Sequence, residues 1–343
     1  MEISLIGSSR LTLRSISRLQ SLLAQAQQEL SGGRHHDVGL TLGMRTGDSI
    51  SLRSRLSELG SSATAMETAR LQADVTQSAL ATIMSVADTF NKTLMSARSG
   101  DVTAGVLRDA ARSAINNISG LLNTAFRDVF IFGGQNNLEA PFPSYEGSAG
   151  QTAVQDSFAA AFGFTPDDPA VSSISAASLQ SYLGGDLQTL FDPPSWQTIW
   201  TKASTESVTF YSGSAEALDL SSNASGKVFA DLLKGMATIA EFASDAFSAQ
   251  SFEALIDHAI ASVSSAQGAL ANEQGRIGFA QARLKSDADM QETLKGIVNM
   301  AISDLETVDP NSVAVRINEL TVRLEASYAL TARLSRMSLL TYI

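Results

Sequence analysis

Histidines are the residues of this sequence best suited to metal or acid–base chemistry. His35 and His36 are adjacent, and Asp37 follows them in a run that comes soon after two glycines. A metal ion bound by histidine needs further ligands that converge on it, and only Asp37 is close in sequence. The pattern therefore favours a solvated loop, and no metal or cofactor is predicted. His258 stands on a predicted helix, where a surface or interface histidine is a simpler interpretation than a catalytic one.

The patterns on which nucleophilic catalysis usually depends are absent from the sequence. It contains no cysteine, no Gly-x-Ser-x-Gly and no phosphate-binding Gly-x-x-x-x-Gly-Lys-Ser/Thr. Asp167 and Asp168 could act as a carboxylate pair, but Pro169 follows them and favours a capped turn. Gly147 and Gly150 are interpreted as turn glycines. We therefore do not expect an enzyme.

Arg10, Arg14 and Arg18 lie four residues apart on a predicted helix. Such a face could bind an anionic surface, although a solvated helix face explains the same spacing. No basic run occurs elsewhere, so nucleic-acid binding has no support.

The net charge of −11 is concentrated in the middle of the chain. Residues 135–222 contain ten acidic side chains and one basic residue, Lys202. This segment would repel nucleic acid and anionic membranes, and we expect it to form a solvated surface. Residues 1–13 lack a basic start followed by an apolar run, and no segment approaches about 18 consecutive apolar residues. Neither a cleaved signal peptide nor a membrane span is expected.

On both sides of the acidic middle, apolar residues recur every three or four positions, which is the pattern of helices that pack along a seam. The first helix ends near Gly32-Gly33, a long helix spans about Leu52 to Ala97, and a third includes Leu107. The seam of the first helix comprises Leu13, Ile16, Leu19, Leu23, Ala26 and Leu30.

The C-terminal half repeats this pattern. Helices are predicted around Val228–Ile239 and Ile256–Leu284, and Asp309 with Pro310 marks the start of a last helix. Apolar side chains recur up to Ile343 at its end, so something must bury them. The apolar positions of this helix include Val313, Ile317, Leu320, Leu324, Leu334 and Leu340.

These patterns predict a mainly α-helical protein, built as a long coiled-coil bundle from both chain ends, with a smaller β-containing domain inserted in the middle. Neither end helix has a partner nearby in sequence, so pairing the two ends as an antiparallel coiled coil is the economical arrangement. Residues 207–211 are rich in β-branched and aromatic side chains and predict a strand. The expected segments are a terminal helix at 1–45, half of the helical core at 46–134, the inserted domain at 135–222, the other half of the core at 223–308 and a terminal helix at 309–343.

Four stretches, in the same order along the chain, resemble the bacterial flagellin superfamily. Residues 19–34 (LQSLLAQAQQELSGGR) resemble its first helix and loop, and residues 327–343 (SYALTARLSRMSLLTYI) resemble its last helix. Between them, residues 130–135 (FIFGGQ) resemble the step out of its N-terminal core, and residues 274–284 (QGRIGFAQARL) the return into its C-terminal core. The final ten residues are more similar to hook-associated protein 3, the hook–filament junction protein, than to filament flagellin.

Two departures accompany the resemblance. The loop at residues 34–39 lacks the superfamily's usual Asp-Asp pair, and the usual Asn-Thr-Asn opening is missing. The second departure is one reason to prefer the junction proteins over flagellin.

The resemblance implies a structural subunit of the extracellular flagellum, exported through the type III apparatus without a cleaved signal peptide. Its implied partners are copies of itself, another hook-associated protein on the hook side, flagellin on the filament side and an export chaperone, with no nucleic acid and no membrane span. Assembly would proceed through an inner coil of Leu13, Ile16, Leu19, Leu23, Leu320, Leu324, Leu334 and Leu340.

Two alternatives stay open at this point. The chain could be filament flagellin itself, a bulk polymer of the same class. More distantly, it could be a secreted surface-binding module whose middle aromatics, Trp196, Trp200 and Tyr211, contact a glycan or a receptor.

Overall fold

The apolar repeats form long helices in the computed structural model, which describes residues 2–212 and 217–340, with side chains for residues 10–212 and 217–333. The chain is 75% helical, which confirms the mainly α-helical class. Within the described residues, the strands are limited to two short hairpins.

The N-terminal part of the chain contains four helices and one hairpin. The helices are α1 (Glu2–Gly32), α2 (Val38–Leu42), α3 (Thr46–Arg98) and α4 (Ala104–Leu122), with a 3₁₀ turn at Gly43–Arg45. Strand β1 (Ala125–Phe126) pairs antiparallel with β2 (Val129–Phe130).

Six further helices and a second hairpin follow in the part of the chain that the structure describes. They are α5 (Ala149–Phe162), α6 (Ala176–Gly184), α7 (Asp186–Phe191), α8 (Lys227–Phe242), α9 (Ala249–Glu306) and α10 (Pro310–Leu340), with a 3₁₀ turn at Pro169–Ser173 and a π-helical turn at Trp196–Trp200. Strand β3 (Thr209–Tyr211) pairs antiparallel with β4 (Ala217–Asp219), with Phe210 opposite Leu218.

The chain divides into two compact units. One unit combines residues 1–61 with residues 290–343, and the other is residues 62–289. Helices α3 and α9 contribute residues to both units. The first unit therefore brings together the two ends of the sequence.

Local sequence signals set the ends of the terminal helices. Gly33 follows α1 with a φ of +64°, a left-handed conformation that glycine adopts without steric cost. Asp309 precedes α10, and its carboxylate accepts a hydrogen bond from the Asn311 N–H at 3.0 Å. Pro310 occupies the first helical position, where the lost N–H has no intrahelical partner in any case. The structure confirms both helix limits expected from the sequence.

The core of the second unit is formed by α3, α4, α8 and α9 together with the middle region. Gly235 of α8 permits close packing onto α9, because a Cβ at this position would lie 2.9 Å from Cγ2 of Val263. Helix α8 is buried along most of its length. The largest fully buried side chains of the four helices are Met66, Leu80, Ile83, Leu94, Leu107, Ile115, Phe229 and Phe242.

The middle region contains the strands expected from the sequence, and it also contains helices that the sequence did not predict. It contains α5, α6 and α7, which surround an aromatic cluster, and its predicted strand is limited to Thr209–Tyr211. Trp196 and Trp200 are 1% and 2% exposed, with ring centroids 5.8 Å apart. Gly150 is not a turn residue but lies in α5 against Trp200, where a Cβ would come within 2.7 Å of the indole ring. Packing of the aromatic side chains therefore determines the local structure here more strongly than the turn-forming residues do.

Buried polar contacts join the middle region to α8. The Glu241 carboxylate is 6% exposed and accepts hydrogen bonds from Tyr145 Oη at 3.1 Å, Gln151 Nε2 at 3.0 Å and Gln155 Nε2 at 2.6 Å. Burial and the Glu241 charge raise the pKa of Tyr145 well above its ordinary value. Because a buried carboxylate without partners is costly, these three donors favour one arrangement of α5 on α8.

Candidate functional site

Helices α1 and α10 pack against each other and run antiparallel. Gln20 Nε2 donates a hydrogen bond to Tyr328 Oη at 2.8 Å, and the Val308 N–H donates to the Gly33 carbonyl at 3.1 Å. Residue numbers thus rise along α1 as they fall along α10. A small core lies between them, consisting of buried Ala26, Val308, Val313 and Leu320 with Leu19, Leu23 and Ile317 packed around it.

The structure brings three of the described residues predicted for the inner coil, Leu19, Leu23 and Leu320, into this small core. Ile16 and Leu320 are 8% and 7% exposed, and Leu19, Leu23 and Leu324 are half-buried. Leu13 is different, because its side chain is 57% exposed and the two-helix contact leaves it uncovered. The side chains of Leu334 and Leu340 lie outside the described residues.

A second set of apolar side chains on these helices is exposed, and apart from Leu13 and Leu30, which were expected in the seam of the first helix, it was not recognised in the sequence. Its members are large side chains of α1 and α10 that remain 39% to 67% exposed, namely Leu11, Leu13, Leu22, Leu30, Val315, Val322 and Leu330. We call this set the outer face. The sequence did contain a signal for part of this set, because Val315 and Val322 are seven residues apart and therefore lie on the same side of α10. The inner seam already explained the helical repeat, so this second spacing was not interpreted as a contact surface. An exposed apolar surface of this kind is typical of interaction sites.

Two buried carboxylates fix how the chain ends meet. Glu29 of α1 is 7% exposed, pairs with Arg316 of α10 and accepts a hydrogen bond from the His36 N–H at 3.1 Å. Glu306, at the end of α9, is 2% exposed and pairs with Arg53 of α3 at 2.5 Å. Each pair takes one residue from each end of the sequence.

The Glu306 site contains more than one donor. Ser49 Oγ donates to its carboxylate at 2.7 Å, and the guanidinium of Arg34 lies 3.6 Å away. The pKa of Glu306 is lowered to about 2, mainly by the hydrogen bonds from Arg53. Burial acts in the opposite direction, whereas the hydrogen bond from Ser49 and the charges of Arg53 and Arg34 lower the pKa further. These donors also offset the unfavourable position of an anion at a helix C-terminus.

Backbone hydrogen bonds join the loops beside these two carboxylates. The His35 N–H donates to the Glu306 carbonyl at 3.0 Å, and Arg34 and Thr307 form an isolated antiparallel bridge. The loop expected around His35 and His36 is present and leaves His36 exposed, and its backbone is paired with the segment between α9 and α10. No cluster of three or more His, Asp or Glu side chains that could hold a metal occurs among the described residues.

An open cleft of about 490 Å³ lies beside Glu29, between α1, α2 and α10. Its lining contains two ion pairs, Glu29 with Arg316 and Glu319 with Arg323, while the Asp37 carboxylate caps α2. No nucleophile and base meet within hydrogen-bonding distance there. The arrangement binds helices to each other and has no recognisable catalytic geometry.

The remaining candidate residues have structural positions. His258 is partly buried, and burial, followed by the charge of Lys234, lowers its pKa to about 4. Its Nε2 has no hydrogen-bond partner. Asp168 caps the 3₁₀ turn at Pro169–Ser173 as expected, and Arg10 is exposed like the other two arginines of its row.

No helix among the described residues is long and apolar enough to cross a membrane. The geometry defines a class of helical subunit. In this class the two ends of one chain pair as an antiparallel coil, and large apolar side chains on the paired helices remain exposed.

Comparison with known proteins identifies the family. A family model of the bacterial flagellin N-terminal helical region matches residues 3–137, and a model of the bacterial flagellin C-terminal helical region matches residues 255–343. The chain belongs to the bacterial flagellin family. Members of this family are structural and non-enzymatic, assemble with themselves and other flagellar components, and form part of the extracellular flagellum.

A solved structure is similar to the chain in fold. It is a Vibrio parahaemolyticus protein described as a flagellar hook-associated protein, with 12% sequence identity and a TM-score of 0.55. The match covers 76% of this chain and 97% of that one. A search of curated protein sequences found no match.

Proposed function

We propose that this protein is the adaptor at the hook–filament junction, joining a sister hook-associated protein on the hook side to the flagellin filament. The observation that carries the proposal is the C-terminal run at residues 334–343, which resembles junction proteins more than flagellin. The fold similarity to a hook-associated protein over 97% of its length supports it. The chain assembles through its terminal helices and leaves the cell through the flagellar type III apparatus.

The described contacts support separate roles for the buried and the exposed apolar residues of α1 and α10. The inner seam of α1 and α10 holds the two ends of one chain together, through Ile16, Leu19, Leu23, Leu320 and Leu324. The outer face is then available to neighbouring subunits, and Leu13 belongs to it. Leu334 and Leu340 would extend this contact surface. An export chaperone would cover the same apolar helices before export.

The experiment is deletion of the gene, followed by motility assays, electron microscopy and collection of secreted proteins. A junction adaptor predicts hooks without filaments and flagellin lost into the medium. Intact filaments in the deletion strain would overturn the proposal. Mass spectrometry of the exported protein should show an unprocessed N-terminal peptide, which tests the expected absence of a cleaved signal peptide.

Filament flagellin is the second candidate, because the same family models describe it. Purified protein added to filament seeds distinguishes the two. Growth of long filaments from this chain alone would replace the adaptor with a bulk polymer. The surface-binding module has lost its motivation, because Trp196 and Trp200 are core residues and only Tyr211, 66% exposed, faces solvent among the three aromatics.

A further inference from the structure

The β1–β2 hairpin contains a turn whose residues do not suit its geometry. Ala125 pairs with Phe130 and Phe126 with Val129, so Arg127 and Asp128 form a two-residue turn. Both have positive φ values, 51° and 64°, as a type I′ turn requires. Asn-Gly satisfies this geometry with little strain, whereas an arginine in the left-handed region is disfavoured by its Cβ.

Contacts within the chain do not account for this choice of residues. Both side chains are exposed, and neither makes a hydrogen bond or ion pair with any described residue. The Arg127 guanidinium carbon stands 5.4 Å from the centroid of the Phe126 ring. A cation–π contact at an exposed site is worth only about 0.5–1 kcal/mol. The turn thus holds a guanidinium outward, at the expense of backbone strain, with its hydrogen-bond donors unused.

The same chain carries a surplus of carboxylates that could accept these donors. In the acidic segment 135–222, five exposed carboxylates have no cationic partner among the described residues, namely Glu146, Asp156, Asp168, Asp186 and Glu206. Lys202, the one basic residue of the segment, is already paired with Glu139. A guanidinium from outside the chain would find free acceptors on this surface.

We propose that the Arg127-Asp128 turn is a docking point for a second copy of this chain, in which Arg127 pairs with carboxylates of the neighbour's acidic segment. The inference rests on the proposal that the protein assembles with other subunits in the flagellum. It adds a contact outside the terminal helices, made by an ionic rather than an apolar surface.

Three variants, produced in a strain that lacks the gene, separate this contact from turn stability. D128G relieves strain and keeps Arg127, R127N/D128G creates the preferred Asn-Gly turn without the guanidinium, and R127K keeps a cation. Each purified protein is tested by thermal unfolding, and each strain by counting the filaments that stay attached after mild shear.

We expect D128G to raise the unfolding midpoint by about 1–3 °C and to retain wild-type attachment. R127N/D128G should be at least as stable as D128G yet hold at least fivefold fewer filaments, and R127K should recover most of them. A more stable R127N/D128G protein with full attachment would overturn this inference alone. A lowered midpoint in that variant would overturn its premise of strain. Filaments that stay attached in the deletion strain itself would overturn the adaptor proposal and this contact with it.

Discussion

The guanidinium of Arg53 donates two hydrogen bonds to the carboxylate of Glu306, from Nε at 2.9 Å and Nη2 at 2.5 Å, across 253 residues of sequence. Glu29 and Arg316 form a second pair of this kind, with the carboxylate now in the N-terminal segment. A one-turn slip of α1 along α10 would separate Glu29 from Arg316 and leave a buried charge unpaired. The pairs therefore specify the register of the terminal helices.

Replacing Glu306 by Gln should weaken the first unit by about 1–3 kcal/mol, because a buried acceptor of charged donors is lost. The lowered pKa of Glu306 stabilises the folded state above about pH 4.5, and this contribution disappears as the pH falls towards 2. The free energy of unfolding should therefore fall less between about pH 4.5 and pH 2 in the variant than in the wild-type protein. Hydrogen exchange of α1 and α10 as a function of pH measures both effects.

Glu292→Gln is the matched control for that experiment. Glu292 lies on the same helix, but its side chain is 72% exposed and pairs with Lys295 three residues away. Exposed pairs of this type contribute little to stability. Equal exchange rates in the two variants would show that the Glu306 site does not hold the chain ends together.

Leu320→Asp and Val322→Asp should separate folding of the terminal pair from assembly. Leu320 is 7% exposed within the α1–α10 core, so a charge there should cost about 3 kcal/mol or more and open the pair. Val322 is 64% exposed on the outer face, and its replacement should change stability by less than about 0.5 kcal/mol. Both variants should lose motility. A motile Val322→Asp strain would remove the outer face from the assembly surface.

Acid should also destabilise the second unit through His258. Its pKa is about 4 in the folded chain and about 6.5 when unfolded, so the unfolded state binds more protons between these values. Stability is complete above about pH 6.5 and falls by about 2–3 kcal/mol towards pH 4. His258→Leu should abolish this slope in denaturant titrations at several pH values. His36→Gln, at an exposed position, is the control, and a slope retained in His258→Leu would contradict the assignment.

Gly134→Ala should destabilise the boundary of the middle region by about 2–4 kcal/mol. Gly134 has a φ of +61°, and a Cβ would lie 2.6 Å from the Glu206 carbonyl oxygen and 2.8 Å from that of Ser204. Gly120, by contrast, sits in α4 with open space around it, and its replacement by Ala should stabilise by about 0.5–1 kcal/mol. Urea unfolding midpoints of the two variants should therefore move in opposite directions.

The long helices could be predicted from the sequence because their information is local. The apolar repeat and the Asp309-Pro310 signal located α1, α3, α9 and α10, and the antiparallel pairing followed from the lack of nearby partners. The helices of the middle region could not be predicted in this way. They are short, and α5 is held by contacts of Gln151 with Glu241 and of Gly150 with Trp200, which are 90 and 50 residues apart in sequence.

The site was predicted in part for the same reason. Ile16 and Leu320 were recognised from period and hydrophobicity alone. Nothing local marks Glu29 or Glu306 as buried, because an acidic residue on a helix is usually solvated. Their role depends on Arg316 and Arg53, which only the folded chain brings near.

The pairing of the chain ends also has a consequence for the order of folding. Arg53 is synthesised long before Glu306, and Glu29 long before Arg316, so the first unit has no complete partner set until nearly the whole chain is available. Residues 62–289 can collapse earlier, since their core is contained within them. In a chain that emerges N-terminus first, α1 therefore has no partner helix until most of the chain has emerged. It packs onto α10 as one of the last folding steps.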